Sequence, residues 1–249
     1  MISTSGHLEE LRRRLLVSFG AIFLFAALSY FFAEHIARFF MMPLFSSQPE
    51  VIKLIYTNLT EAFITYLKLS LLVGIICSFP VLIYEFWMFI APGLHANERK
   101  TVLAVVFWAT LLFSAGAYFA FFIVLPHILN FFMGFATPQL TPLPKLGGYL
   151  TFVARTCLAF GLAFEIPFLM VAAAKIGWVS RNYFSKQRKY FYPAILALSV
   201  LLAAGDLMAA ILLCLPLFLL YEAGIIIIRL FTRNPENNKT VSSEPDNSE

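Results

Sequence analysis

Charged side chains are scarce in this chain of 249 residues. Aspartate, glutamate, lysine and arginine make up 13% of it, whereas hydrophobic residues make up 60% and the mean hydropathy is +0.81. Because soluble domains carry about 25% charged residues, this composition excludes a water-soluble globular protein. The net charge of +4 forms no dense basic patch with interleaved aromatics, so no nucleic-acid partner is expected.

Cysteine and histidine are also rare, with three and four copies. Cys77, Cys157 and Cys214 form neither a CxxC pair nor a cluster with histidine, so neither a disulfide framework nor a metal site is expected. All three lie in apolar stretches, where a small buried packing residue is the expected role. The chain has no GxSxG or HExxH motif, and only His127 lies near the middle of an apolar stretch. Neither an enzyme nor a bound cofactor is expected.

Long apolar runs are what the chain does have. A run of about 18 residues can cross a hydrocarbon core of about 30 Å as a helix. Six runs are predicted to do so: Leu15–Phe32, Phe63–Trp87, Val102–Phe132, Tyr149–Ala174, Tyr192–Ala204 and Leu207–Ile228. The fifth has only thirteen residues, which requires local bilayer thinning or a helix that starts deeper in the cytoplasmic interface.

The predicted fold is therefore an all-α integral membrane protein, a bundle of six transmembrane helices. Several helices should be kinked at prolines within or against the spans, at Pro80, Pro126, Pro167 and Pro216. Residues 1–14 are predicted to be a cytoplasmic amphipathic segment, 15–230 the transmembrane domain, and 231–249 a disordered cytoplasmic tail. No small-residue cleavage pattern follows the first span, so it is expected to stay in the mature chain.

The basic residues predict the orientation of the bundle. Thirteen lysines and arginines fall in one set of connecting segments and three in the other. Since positive charge near span ends is retained in the cytoplasm, both termini are expected there. Lys68 and Arg155 lie inside spans near their outer ends, where long side chains can snorkel.

Two charged stretches should lie on that cytoplasmic side. In HLEELRRRLL, at residues 7–16, the leucines share one helical face and Glu10 pairs with Arg14 at i,i+4. In FIAPGLHANERK, at residues 89–100, Glu98 lies at the head of the third span, where the helix macrodipole favours a carboxylate. A solvated anchoring turn for the first stretch and simple helix capping for the second are the alternatives. Both interpretations place Glu10 and Glu98 at one water-facing surface.

Glu165 stands near the middle of the fourth span, where a charge costs a few kcal/mol. It is expected to face a polar groove or a partner helix, with a structural hydrogen bond as the alternative. A small proton-coupled secondary transporter using Glu165 is a second candidate function, although paired interrupted spans are missing. Asp206, at the turn between the last two spans, is expected to cap the sixth.

Several motifs together resemble the TatC family, the multispanning component of the twin-arginine protein translocase. The resemblance covers Gly6 to Leu230. It rests on HLEELRRRLL at 7–16, MPL at 42–44, TEAFITYLKLS at 60–70, VLIYEFWMFIAPGLHANER at 81–99, FGLAFEIP at 160–167 and the spacing from Asp206 to the proline of the last span.

The resemblance implies a glove-shaped bundle in the bacterial inner membrane that receives twin-arginine signal peptides and exports folded proteins with the protonmotive force. It implies homo- and hetero-oligomers with single-span TatA/TatB-type proteins within the lipid bilayer. Glu165 would contact these partners inside the membrane, while Pro43 and Asp206 would belong to outer loops. The signal-peptide surface implied by the resemblance consists of Glu10, Arg12, Phe89, Pro92, Leu94, Glu98 and Arg99.

Overall fold

The computed structural model describes residues 4–47, 54–56, 58, 60–90, 99–134, 143–176, 179, 182–203 and 207–231. These residues form an all-helical structure. Its α-helices are α1 (Thr4–Phe31), α2 (Ala33–Ser47), α3 (Glu61–Ile90), α4 (Arg99–Phe119), α5 (Leu125–Met133), α6 (Leu146–Ile176), α7 (Tyr183–Lys186), α8 (Arg188–Leu202) and α9 (Leu207–Phe231).

Five helical stretches of the described residues are long and apolar enough to cross a membrane: Leu8–Phe31, Glu61–Phe89, Val102–Met133, Leu146–Ala174 and Leu207–Leu230. They correspond to five of the six predicted spans. The predicted fifth span is α8, which begins four residues earlier than expected, at Arg188, and has 15 residues. At about 1.5 Å per residue it is about 22 Å long. That α8 crosses the membrane, in addition to the five stretches above, stays a prediction.

α1 runs without a break through the predicted boundary at residue 14. It packs principally against α3. The two helices approach closely at Gly74, where an added Cβ would lie 2.6 Å from the backbone nitrogen of Ala26. Because this close approach extends along neighbouring turns, the charged ends of α1 and α3 are held side by side.

α6 is the central helix of the bundle. It packs against α3, α4 and α9, and Leu150, Val153, Ala154 and Phe160 are completely buried. α4 lies directly on it, because a Cβ at Gly116 would be only 2.5 Å from the carbonyl oxygen of Phe160. This contact encloses the middle of α6, including Glu165.

Prolines lie within the helices at Pro43, Pro80, Pro167, Pro193 and Pro216. At the remaining span proline, Pro126, the third span changes its winding. Ala120–Val124 forms a π-helical turn between α4 and α5, and the N–H of Leu125 donates to the carbonyl of Ala120. Since Pro126 has no N–H to donate, a wider turn just before it is an expected accommodation. The bends predicted at the other prolines stay predictions.

α2 forms a cap over one end of the bundle. Its buried residues Ala33, Ala37, Phe40 and Leu44 recur at helical spacing, and the Tyr149 hydroxyl donates to the carbonyl of Phe40 at 3.0 Å. Pro43 lies buried in α2. The sequence pattern did not predict this helix. Beside it, Ile55 and Lys145 form a parallel β-bridge.

The prediction for the cysteines was wrong at one position. Cys157 and Cys214 are buried, but Cys77 is exposed. Its position on α3 lies on the face directed away from the helix neighbours, and its apolar sequence context reflects the membrane span and not the protein core.

Candidate functional site

A three-residue ion cluster joins the ends of α1 and α3 that lie farthest from α2. Arg14 forms two hydrogen bonds with Oε1 of Glu10, at 2.5 and 3.1 Å, and one with Oε2 of Glu85 at 3.1 Å. The Glu10–Arg14 pair follows from i,i+4 spacing on one helix and confirms the sequence prediction. The bond to Glu85 spans 71 positions and depends on the packing of α1 on α3.

The cluster is half-buried. The relative side-chain exposure is 19% for Arg14, 34% for Glu10 and 15% for Glu85. It borders a cavity of about 550 Å³ whose lining residues come from both helices: Glu9, Glu10, Arg13, Arg14, Val17, Tyr84, Glu85 and Met88. The cavity thus combines three carboxylates and two guanidinium groups with an apolar wall, a surface suited to a peptide that carries both charge and apolar side chains.

Only some of the other residues predicted for the signal-peptide surface can be located relative to this cluster. Phe89 lies one turn beyond Glu85 on α3 and is half-buried, and Arg12 is exposed on α1. Pro92, Leu94 and Glu98 lie outside the described residues, and for Arg99 the backbone at the start of α4 is described. The pairing of Glu10 with Glu98 at one surface therefore stays a prediction.

Glu85 was missed as a site residue, and Arg14 was predicted only as a partner of Glu10. The sequence carries a signal for Glu85, because a carboxylate in the last turns of an otherwise apolar span requires a partner or an aqueous surface. It does not identify the partner, since that depends on how α3 is rotated toward α1.

Glu165 is enclosed in the middle of the bundle, with 4% of its surface exposed. The backbone of Phe113 on α4 lies near its carboxylate, yet neither oxygen makes a hydrogen bond of acceptable geometry within the described part of the chain. The structural hydrogen bond, which was the alternative to a polar groove or a partner helix, is thus not formed among the described residues. A buried carboxyl group without a partner lowers the free energy of unfolding, so Glu165 destabilises the bundle.

A second charged network joins the start of α8 to the second half of α9. Arg188 pairs with Glu222 at 2.6 Å, and the Tyr192 hydroxyl donates to the other Glu222 oxygen at 2.6 Å. Next to it, the hydroxyl of the fully buried Tyr221 donates to the carbonyl of Phe184 at 2.9 Å. These contacts hold α7, α8 and α9 together.

The remaining candidate residues form no catalytic or metal-binding arrangement within the part of the chain that the structure describes. The ring Nδ1 of His127 hydrogen-bonds at 2.6 Å to the carbonyl of Ile123, in the π-helical turn that precedes α5. Within the described ranges, no three histidine, cysteine, aspartate or glutamate side chains come together as a metal site. Asp206 falls in the gap between α8 and α9, so its predicted capping role stays a prediction.

Five helical stretches of the described residues that are long and apolar enough to cross a membrane indicate a multi-pass integral membrane protein. Residues 6–216 match the family model for the Sec-independent protein translocase protein (TatC). Among curated relatives, the Sec-independent protein translocase protein TatC of Desulforapulum autotrophicum is 39% identical over 96% of this chain and 88% of its own length. The TatC protein of Aquifex aeolicus is 37% identical over 91% of this chain and 95% of its own length.

The fold has solved counterparts as well. The crystal structure of a twin-arginine translocase receptor, TatC, superposes with a TM-score of 0.84 and 36% sequence identity, covering 91% of this chain and all of the other. The chain belongs to the TatC family. It is a component of a protein translocase in a membrane, and the resemblance inferred from its motifs is confirmed.

Proposed function

We propose that this chain is the receptor for twin-arginine signal peptides in a translocase of the bacterial cytoplasmic membrane, exporting folded proteins with the protonmotive force. Its likeness to a solved twin-arginine translocase receptor, at 36% identity, supports the assignment. In this proposal α8 crosses the membrane as the fifth of six spans, both termini are cytoplasmic, and the bundle is glove-shaped. The excess of thirteen basic residues over three supports that orientation.

The observation that carries the proposal is the cluster of Glu10, Arg14 and Glu85. Arg14 presents a guanidinium group to two carboxylates in a half-buried cavity. Guanidinium groups are planar, permanently charged and suited to two-point pairing with carboxylates, so an arginine pair of a guest peptide fits the same chemistry. Lysine offers a single cationic head and is a poorer substitute.

The signal-peptide surface then extends from this cluster to the segment between α3 and α4. Glu10 and Glu98 receive the two guanidinium groups, and Arg12 and Arg99 flank them. Phe89, Pro92 and Leu94 receive the apolar part of the signal. The position of Phe89, one turn beyond Glu85 on the same helix, supports this extension.

Glu165 is proposed as the intramembrane contact with the single-span TatA/TatB-type partners. Its support is the enclosed carboxyl group without a hydrogen-bond partner in the described residues. Because only 4% of its surface is exposed, a partner helix reaches Glu165 once the helices around it separate locally. A donor that the partner brings then relieves an unsatisfied buried group that costs about 1 to 3 kcal/mol. Pro43 and Asp206 lie on the outer side in this scheme. Membership in a translocase family disfavours the alternative of a small-solute transporter.

The receptor assignment is tested by photocrosslinking a twin-arginine signal peptide to the chain in native membranes. Glu98→Ala should abolish the crosslink and export while the protein stays inserted. Glu10→Gln should weaken the crosslink strongly. A peptide with two lysines in place of the arginines should crosslink weakly to the wild-type chain.

A matched control is Glu34→Gln. Glu34 pairs with Arg38 at the same i,i+4 spacing as Glu10 with Arg14, but beyond the opposite end of α1 and in an exposed position. It should leave the crosslink unchanged. An unaltered crosslink in Glu98→Ala and Glu10→Gln would overturn the assignment of the recognition surface.

The partner contact is tested by co-purification of the single-span proteins. Glu165→Ala should reduce their recovery more than it reduces the signal-peptide crosslink. Equal recovery of the partners, or a loss of small-solute uptake instead, would contradict the proposed role of Glu165 and favour the transporter.

A further inference from the structure

The end of the bundle near α2 contains a pocket lined by three cations. Lys68 of α3, Lys145 just before α6 and Arg155 of α6 border a cavity of about 520 Å³, which also includes Glu61. All three basic side chains are exposed. None of them forms an ion pair with a carboxylate of the described residues. This cationic pocket therefore has a surplus of two positive charges.

Two of these cations lie within helices that are long and apolar enough to cross a membrane. Lys68 is seven residues after the start of α3 and Arg155 nine residues after the start of α6, so they lie about 10 and 14 Å along their helices at 1.5 Å per residue. Both positions belong to apolar spans. Unpaired basic side chains at such positions are costly unless a counter-ion or water compensates them.

The backbone adds further affinity for an anion. Gly147 and Gly148 line the cationic pocket at the beginning of α6, where the first N–H groups of a helix have no intrahelical acceptor. The positive end of the helix macrodipole favours a phosphate there. Gly147 lets α3 pack closely against the start of α6, because a Cβ there would lie 2.7 Å from the Thr65 hydroxyl oxygen and 3.4 Å from Oε1 of Glu61.

An apolar groove adjoins the cationic pocket and shares Lys68 with it. This groove has a volume of about 580 Å³ and lies between α1 and α3, lined mainly by Phe23, Ala27, Tyr30, Leu67 and Leu71. Both helices are apolar enough to span a membrane. A ligand that fits both features has a phosphate at one end and an acyl chain at the other.

We infer that the cationic pocket and the apolar groove together bind one anionic phospholipid, with its phosphate among Lys68, Lys145 and Arg155 and an acyl chain along the groove. The charge surplus favours a lipid such as phosphatidylglycerol over a zwitterionic one, whose ammonium group would add a further cation to the pocket. Under the proposed orientation, this lipid belongs to the outer leaflet.

Native mass spectrometry of the full-length chain tests the inference. The detergent-solubilised protein is incubated with phosphatidylglycerol or with phosphatidylcholine of the same acyl chains. The wild type should retain one phosphatidylglycerol in preference to phosphatidylcholine. Lys68→Gln alone should weaken retention about fivefold, as expected for one basic residue at an anionic lipid surface. The triple variant Lys68→Gln, Lys145→Gln and Arg155→Gln should abolish it.

A control variant removes the same number of charges elsewhere, as Arg38→Gln, Lys186→Gln and Lys189→Gln. These three side chains are exposed and lie outside the cationic pocket, so the control should retain phosphatidylglycerol like the wild type. Equal retention by the triple variant and the control would overturn the inference.

Two further arms separate the lipid from a free phosphate ion. An excess of inorganic phosphate should leave phosphatidylglycerol bound, and complete displacement would instead assign the pocket to the free ion. Ala27→Trp, which fills the apolar groove, should weaken lipid retention while the protein remains monodisperse. Undiminished retention in this variant would contradict the placement of the acyl chain.

Discussion

Two charged clusters near opposite ends of the bundle differ in how their charges are paired. At the ends of α1 and α3 far from α2, Arg14 is bonded to Glu10 and Glu85, so each charge has a partner from the chain itself. At the end near α2, Lys68, Lys145 and Arg155 line a cavity without forming an ion pair within the described ranges. Under the proposed function, the first arrangement fixes carboxylates in place for a guest that competes with Arg14. The second leaves a net positive charge among the described residues that line the cavity.

The comparison shows that the role of a charged residue in a membrane protein depends on whether it is paired, and that its presence alone does not indicate the role. A paired, half-buried cluster contributes to stability and orients its members. An unpaired set that lines a cavity contributes little to folding and points to a ligand. Three measurements of stability test this division, each by equilibrium unfolding of the purified protein in mixed detergent micelles, followed by circular dichroism of the helices.

The largest effect is expected at the paired end. Arg14→Ala should lower the free energy of unfolding by about 2 kcal/mol, because it leaves Glu10 and Glu85 close together without their shared cation. Arg14→Lys should lose less, since one cationic head still lies between them. A loss equal to that of an exposed pair would show that the cluster does not hold α1 on α3.

The next effect concerns the middle of the bundle and has the opposite sign. Glu165→Met should raise the free energy of unfolding by about 1.5 kcal/mol. Methionine has a similar volume, and the substitution removes a buried carboxyl group that has no hydrogen-bond partner in the described structure. The same variant should impair association with the single-span partners. A destabilised protein would indicate that the carboxyl group is satisfied within the chain, and the proposed partner contact would lose its support.

The smallest effect is expected for the exposed pair on α2. Arg38 and Glu34 have side-chain exposures of 69% and 62%, so Arg38→Ala should change the free energy of unfolding by less than about 0.5 kcal/mol. It serves as the reference for Arg14→Ala, which breaks a pair with the same spacing. A change as large as that of Arg14→Ala would show that burial does not determine how much each ion pair contributes to the free energy of unfolding.

Much of the fold follows from hydropathy along the chain. The predicted spans at residues 63–87, 149–174 and 207–228 lie within α3, α6 and α9, because a long apolar run in a bilayer has few alternatives to a helix. The pairing of Glu10 with Arg14 also follows from the sequence, since four residues along a helix place them on one face.

Other features needed the packed structure. α2 carries a buried stripe at Ala37, Phe40 and Leu44, but its 15 residues were not predicted as a helix. The π-helical turn before Pro126 and the exposure of Cys77 depend on how neighbouring helices are rotated. Hydropathy reports that a residue lies in an apolar environment and does not distinguish lipid from protein.

The sequence alone determined that this is a helical membrane protein of the TatC family, because apolar run length, basic-residue distribution and contiguous motifs are properties of neighbours along the chain. Tertiary structure decided that Arg14 meets Glu85, that Glu165 is enclosed between α4 and α6, and that Lys68, Lys145 and Arg155 share one cavity. The physical reason is that each of these contacts joins distant segments. Their formation is set by the rotation and close packing of helices, and no local pattern encodes either.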